Sequence, residues 1–333
     1  VSRAGVAGGG SLEDRPTALP GAQATGPVPG AGWTEASLAV MVLVWAINFS
    51  VVKQALETFD PLGFNALRFV LASAFVWAVL RSRGPIRMPG RADVPRLLLL
   101  GVVGNVLYQL GFVYGLDLTR AGNASVMMAL TPVFIALLSW RLGYERPGTR
   151  TWMGAGCSVA GVVLVSYAAL RLDGGSTLMG DLILIGAGIT WAAYTVGARP
   201  LLQRMGSVPV TAWTMWSGTV VLVVIGIPSL GAQDWRSVGA GAWGGLAFSA
   251  FLSIGLSYLI WYRGVERLGN TRTSIYANVT PAVALVVAAV WLGERITPAT
   301  AVGAALTIGG VMLVRGDRGS RRTEVLPKPS RRT

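Results

Sequence analysis

The stretch "LTPVFIALLSWRLGYER", residues 130–146, returns as "VTPAVALVVAAVWLGER" at residues 279–295. Each copy opens on Thr-Pro, runs on as an apolar helix and closes on Glu-Arg. A proline inside a helix removes one hydrogen bond and clashes with the preceding turn, at a cost of about 3 kcal/mol. A costly feature repeated in the same frame marks an internal duplication. Working outward at an offset of 149 residues, Ser125 falls on Ser274, Gly154 on Gly303, and "GVVLV" at 161–165 on "GVMLV" at 310–314. Nearer the N-terminus the offset is 146, where Trp45 meets Trp191, Lys53 meets Arg199 and Glu35 meets Asp181.

The composition says what kind of solvent these helices face. Of the 333 residues, 53% are hydrophobic and 13% charged, against about 25% charged in a soluble domain. About 20 apolar residues cross a bilayer as a helix. Windows of that kind fall at 34–53, 61–81, 97–117, 121–143, 151–170, 178–199, 208–230, 240–263, 272–293 and 298–315. The fold class expected is therefore an all-α integral membrane protein of ten transmembrane helices. The net charge of +13 does not point to nucleic acid, because the basic residues sit in short loops and in the tail, which is a topology signal. With the N-terminus cytoplasmic, 22 of the 28 Lys and Arg residues fall on the inner side and five on the outer, with Arg68 inside a span. Both termini are expected to be cytoplasmic.

Five spans per half is an odd number, so the second copy enters the membrane inverted. Inverted repeats mark secondary transporters, whose substrate site lies near the midplane between the repeats. The chain divides into an expected disordered tail at 1–33, a first five-helix repeat at 34–170, a second at 178–315 and a basic cytoplasmic tail at 316–333. The N-terminal segment has neither a basic start nor an apolar core and does not read as a signal peptide.

The sequence resembles the ten-helix EamA-type transporters of the drug/metabolite transporter superfamily. The resemblance rests on "WAINFSVVK" (45–53), "ALRFVLA" (66–72), "AGNASVMMALTPVFIALLSWRLGYER" (121–146), "GDLILIGAGITWAAYTV" (180–196) and "LSYLIWYRGVERLGNTRTSIYANVTPAVALVVAAVWLGERIT" (256–297). It implies a transporter of amino acids, other metabolites or drugs, and it names no single substrate.

Polar groups inside a span are costly and face the bundle interior. Asn105, Tyr108, Gln109 and Phe112 stand at i, i+3, i+4 and i+7, one helical face. Ser249, Ser253 and Ser257 step by four, with Tyr258 beside them. Met128 and Thr131 precede Pro132, and Tyr276, Asn278 and Thr280 precede Pro281. Trp45, Asn48, Trp191 and Tyr194 complete the expected substrate-binding set. The serines serve equally as glue between helices, and tryptophans near span ends serve as interfacial anchors. Arg68 and Lys53 either contact an anion or snorkel to the headgroups. Pro132 and Pro281 are the expected bends and hinge. The small residues Gly154, Gly156, Ala160 and Gly161, with Gly303, Ala304, Gly309 and Gly310, permit close packing of spans 5 and 10 or of two copies of the chain.

Several function classes lose ground. The chain has no histidine, one cysteine (Cys157) and no GxxxxGK[ST], so neither a metal site nor an ATP site is expected. All fifteen acids lie in tails, loops or at span ends. That argues against an enzyme and against an antiporter built on a central carboxylate. No cofactor is expected. The partners expected are a small-molecule substrate and the lipid bilayer, with the chain a monomer or homodimer in the inner (plasma) membrane. The expected function is alternating-access transport of a small polar or amphipathic metabolite, with an amino acid and export favoured. The rivals are uptake of an organic anion through Arg68 and Lys53, and a non-transporting membrane subunit or receptor.

Overall fold

The computed structural model describes residues 31–86, 88–143, 148–173, 175–268, 273 and 276–316. Among these, every regular element is helical. The helices are α1 (Ala31–Ala55), α2 (Pro61–Ser82), α3 (Val94–Leu118), α4 (Ala121–Arg141) and α5 (Thr149–Asp173). They continue as α6 (Gly175–Met205), α7 (Ser207–Ala232), α8 (Ala240–Leu268), α9 (Thr280–Trp291) and α10 (Pro298–Gly316). Eight are long and apolar enough to cross a membrane, and α9 and α10 are shorter apolar helices among the described residues. Helix α1 starts at Ala31. Both α6 and α8 outrun their apolar windows, because the segments that follow, 200–205 and 264–268, keep a helical backbone. The Glu145-Arg146 terminus lies outside the described residues, as do 1–30 and 317–333.

Local chemistry sets the helix ends. The Asp60 carboxylate accepts from the Leu62 amide at 2.9 Å, and Pro61 fills the first position of α2, where a missing N–H costs nothing. The same carboxylate accepts from Ser229 of α7, which registers α2 against α7. Ser73 and Thr219 continue that seam through a 2.7 Å hydroxyl contact. Gly161 of α5 and Gly303 of α10 pack backbone to backbone: a Cβ on Gly161 would stand 2.4 Å from the Gly303 carbonyl. Of the small residues expected on these two helices, Gly154, Gly161, Gly303 and Gly310 meet across this seam, while Gly156 and Gly309 have nothing within 4 Å of a would-be Cβ.

Two of the long helices contain a π-helical segment, Val102–Leu107 in α3 and Phe248–Leu256 in α8. The wider turn shifts the faces that follow it. Helix α4 is broken at Ala129–Leu130 and restarts at Thr131, with Pro132 in the new first turn. Before α9, a 3₁₀ turn at Ala277–Val279 precedes the restart at Thr280, again with proline in the first turn. Neither proline deletes a ladder hydrogen bond, because each stands where the amide has no helical partner. The outer surface carries valines such as Val163, Val220, Val224, Val286 and Val290, all well exposed. Exposed apolar surface on this scale needs a lipid neighbour.

Candidate functional site

The break in α4 opens a space that aromatic side chains surround. Trp45 of α1 stands between Trp191 of α6, 6.1 Å away edge-on, and Trp261 of α8, 5.4 Å away. Tyr108 of α3 lies 4.7 Å from Trp191, and Tyr258 lies 5.0 Å from it. The Trp45 indole donates to the Ser253 carbonyl at 3.0 Å, an acceptor within the π-helical segment of α8. A cavity of about 70 Å³ is bounded by Trp45, Tyr108, Met128, Thr131, Trp191 and Trp261, with both prolines on its wall. A second, of about 40 Å³, shares Trp45, Phe49 and Tyr108 and adds Asn48, Arg68, Gln109, Ser253 and Tyr258.

The polar floor of the smaller cavity is a network around Arg68, which is 1% exposed. Its Nε donates to Asn65 Oδ1 at 2.8 Å, Nη1 to Ser249 Oγ at 3.1 Å and Nη2 to Gln109 Oε1. The Gln109 amide in turn donates to the Tyr258 hydroxyl at 2.6 Å. Phe64 and Phe112 lie 5.1 and 5.8 Å from the guanidinium carbon. The guanidinium does not snorkel. Asn48 Oδ1, Thr131 Oγ1, Thr280 Oγ1 and Trp261 Nε1 are buried with no hydrogen-bond partner. Unpaired buried polar atoms cost about 1–3 kcal/mol each, and these four stand on the walls of the two cavities.

The structure thus gathers Trp45, Asn48, Arg68, Tyr108, Gln109, Met128, Thr131, Trp191, Ser253 and Tyr258 around the cavities, with Pro132 and Pro281. Other members of the expected set stand apart. Asn105 donates to the Thr214 carbonyl on α7 at 3.0 Å, and the Tyr194 hydroxyl meets Thr214 Oγ1 at 2.7 Å. Ser257 bonds the Leu252 carbonyl of its own helix. Tyr276 packs at the rim of the apolar core, and the side chain of Asn278 lies outside the described residues. Lys53 is spent on the Leu116 and Asp117 carbonyls at 3.0 and 2.7 Å, capping the end of α3. Phe49, Asn65, Ile135 and Ala277 belong to the site without having been singled out. Only Asn65 carried a signal, its i, i+3 spacing to Arg68.

A much larger cavity, about 830 Å³, lies at the ends of α2 and α8 and the start of α7, with Arg83, Arg204, Arg263 and Arg267 on its wall. Its charges are partly spent: Arg204 pairs with Asp93 at 2.6 Å, and Glu266 accepts from the Ser207 amide. It has the character of a solvated rim at helix ends. The smaller central cavities hold the convergent buried polar and aromatic groups that a small-molecule site needs.

Comparison with known proteins agrees with this architecture. The model of the EamA-like transporter family matches residues 32–167 and again 178–316. A probable terminal-alkyne amino-acid exporter of Streptantibioticus cattleyicolor is 29% identical over 298 residues, covering 89% of this chain and 97% of the relative. An uncharacterized transporter of Archaeoglobus fulgidus is 30% identical, over 84% of this chain and 96% of the relative. The uncharacterized transporter YdfC of Bacillus subtilis is 27% identical over 83% of this chain and 88% of its own length. A crystal structure at 20% identity shares the fold, with a TM-score of 0.64 over 87% of this chain and 99% of that one. A multi-pass membrane protein with two matched repeats, the chain belongs to the EamA-like transporter family.

Proposed function

We propose that this chain is a secondary transporter of the plasma membrane that exports a small amphipathic metabolite, an amino acid foremost, by alternating access. It crosses the membrane ten times as two inverted five-helix units, with both termini in the cytoplasm. The observation that carries the reading is the pair of central cavities. They lie where helices of both halves meet (α1, α3 and α4 with α6, α8 and α9), beside the breaks at Pro132 and Pro281. A broken helix in a membrane is tolerated where its freed backbone groups face protein or a cavity, and such breaks frame transporter sites. The strongly apolar, aromatic wall suits a substrate with an apolar part. The named amino-acid exporter of S. cattleyicolor supports both the cargo and the direction.

The test is flux from proteoliposomes loaded with a panel of labelled amino acids, organic acids and phosphorylated metabolites. Efflux of at least one amino acid, lost on Trp191→Ala, is expected. Folded protein with no flux of any cargo favours the non-transporting subunit. Flux of an organic anion alone favours the organic-anion reading, with Arg68 as its reason. Thiol labelling of loop cysteines from each side checks the orientation.

A further inference from the structure

Arg68 presents a chemical imbalance. It is a cation buried in an apolar bundle, and its three hydrogen-bond acceptors are all neutral: Asn65, Ser249 and Gln109. Among the described residues no Asp or Glu pairs with it, and no other cation lines either central cavity. A guanidinium has five N–H groups, and these bonds use three. Buried charges are otherwise paired, so the site lacks one negative charge. The same cavity holds the reverse imbalance, since Asn48 Oδ1 is an acceptor, 5% exposed, with no donor. A donor-rich cation and an unpaired acceptor therefore face one space, and the aromatic cavity adjoins it through Trp45, Phe49 and Tyr108.

We propose that Arg68 is the counter-ion for a substrate carboxylate, that Asn48 Oδ1 accepts from the substrate ammonium, and that the apolar side chain lies among Trp45, Trp191 and Trp261. The substrate class is a free α-amino acid with an uncharged side chain. A phosphate monoester fits less well, because it carries about two negative charges and would leave one of them buried and unpaired against a single arginine. The assignment rests on the transporter reading above and makes the carboxylate the feature that the site reads.

The purified full-length protein is reconstituted with labelled L-phenylalanine and challenged with four unlabelled compounds. These are L-phenylalanine itself, its methyl ester, 2-phenylethylamine and 3-phenylpropionate. The free amino acid competes best. The ester and the amine, which lack the carboxylate, compete at least tenfold less well, and 3-phenylpropionate falls between. Arg68→Gln lowers flux at least tenfold per folded molecule. Asn48→Ala narrows the gap between L-phenylalanine and 3-phenylpropionate. Phenyl phosphate competes poorly. Equal competition by acid and ester in the unsubstituted protein overturns the assignment even if Arg68→Gln fails to fold, as does an Arg68→Gln variant with normal flux. Ligand-induced shifts in melting temperature, read in detergent with the same four compounds, need no transport. A shift by the acid alone without flux leaves the carboxylate site standing and removes the transporter reading. Flux of cargo that lacks a carboxylate does the opposite.

Discussion

Asp181 is a carboxylate sealed inside the first turns of α6, fully buried, with Thr119 Oγ1 donating to one oxygen at 2.8 Å and Ser166 Oγ to the other at 2.8 Å. It joins the α3–α4 turn, α5 and α6 through one side chain. Removing it strands two hydroxyls, each at about 1–3 kcal/mol. Asp181→Ala is therefore expected to lower the melting temperature in detergent clearly, and Asp181→Asn, which keeps one acceptor, less so. Equal melting temperatures for both variants and the parent would show that the network carries no stability. The sequence placed this acid at a span end but could not say that it was buried, because burial depends on the turn folded over it. The same limit explains the divided fate of the polar faces. The i, i+3, i+4, i+7 pattern from Asn105 assumes 3.6 residues per turn, and the π-helical segment at Val102–Leu107 breaks that register. Asn105 is thereby turned to α7, while Tyr108, Gln109 and Phe112 face the cavity. The Ser249, Ser253, Ser257 ladder runs across the second π-helical segment and divides in the same way. Nothing in residue type predicted either segment.

Among the elements, α4 is held at its N-terminus by a residue from the other half of the chain. Glu294, just past α9, accepts from the amides of Ala121 and Gly122 at 2.7 and 2.9 Å. Those amides have no helical partner, and a carboxylate there also meets the positive end of the helix dipole. Gly122 leaves it room, since a Cβ there would stand 2.8 Å from Leu285 and 3.1 Å from the Glu294 carboxylate. Lys53 performs the matching service at the C-terminus of α3, and the Trp291 indole donates to Gln54 at 3.1 Å. Three bonds thus fasten α9 to α4 and α1 at one end of the bundle, the external end on the proposed topology. A cap is worth about 0.5–2 kcal/mol, enough to shift an equilibrium between two conformers severalfold. With Cys157→Ser and Ser125→Cys in place, Glu294→Ala is expected to raise the rate at which an impermeant thiol reagent labels position 125 from outside. An unchanged rate means that this contact does not hold the end closed. The Glu-Arg endings were legible as a repeat, but the reach of Glu294 across to the other half was not, since pairing over 172 residues leaves no local trace.

At the scale of the whole molecule, the duplication visible in the sequence reappears as a pairing of equivalent helices, α5 with α10. Each presents a glycine where the other's backbone comes closest. A Cβ on Gly303 would stand 2.7 Å from the Gly161 carbonyl, and one on Gly310 would stand 2.4 Å from the Gly154 carbonyl. Ser158 Oγ donates across the seam to the Thr307 carbonyl at 3.1 Å. In lipid the hydrophobic effect does not drive helices together, so packing of this closeness and the hydrogen bonds within it have to. None of these residues lines the central cavities, so the seam can brace the halves while the helices around the cavity move. Gly161→Ala therefore overpacks the seam, at about 1–3 kcal/mol. Gly156 lies on the same helix with nothing within 4 Å of its would-be Cβ, and Gly156→Ala gains helix propensity of up to about 1 kcal/mol. The two variants differ by five residues in position and not at all in chemistry, so their opposite effects isolate the seam. Thermal unfolding in detergent is expected to fall for Gly161→Ala and to hold or rise for Gly156→Ala. Substrate affinity should be unchanged in whatever fraction of Gly161→Ala remains folded, because the cavity walls do not include the seam. A Gly161→Ala variant that melts like the parent would mean that α5 and α10 approach less closely than their glycines permit. One that keeps its stability and loses substrate affinity would mean that the seam moves with the site.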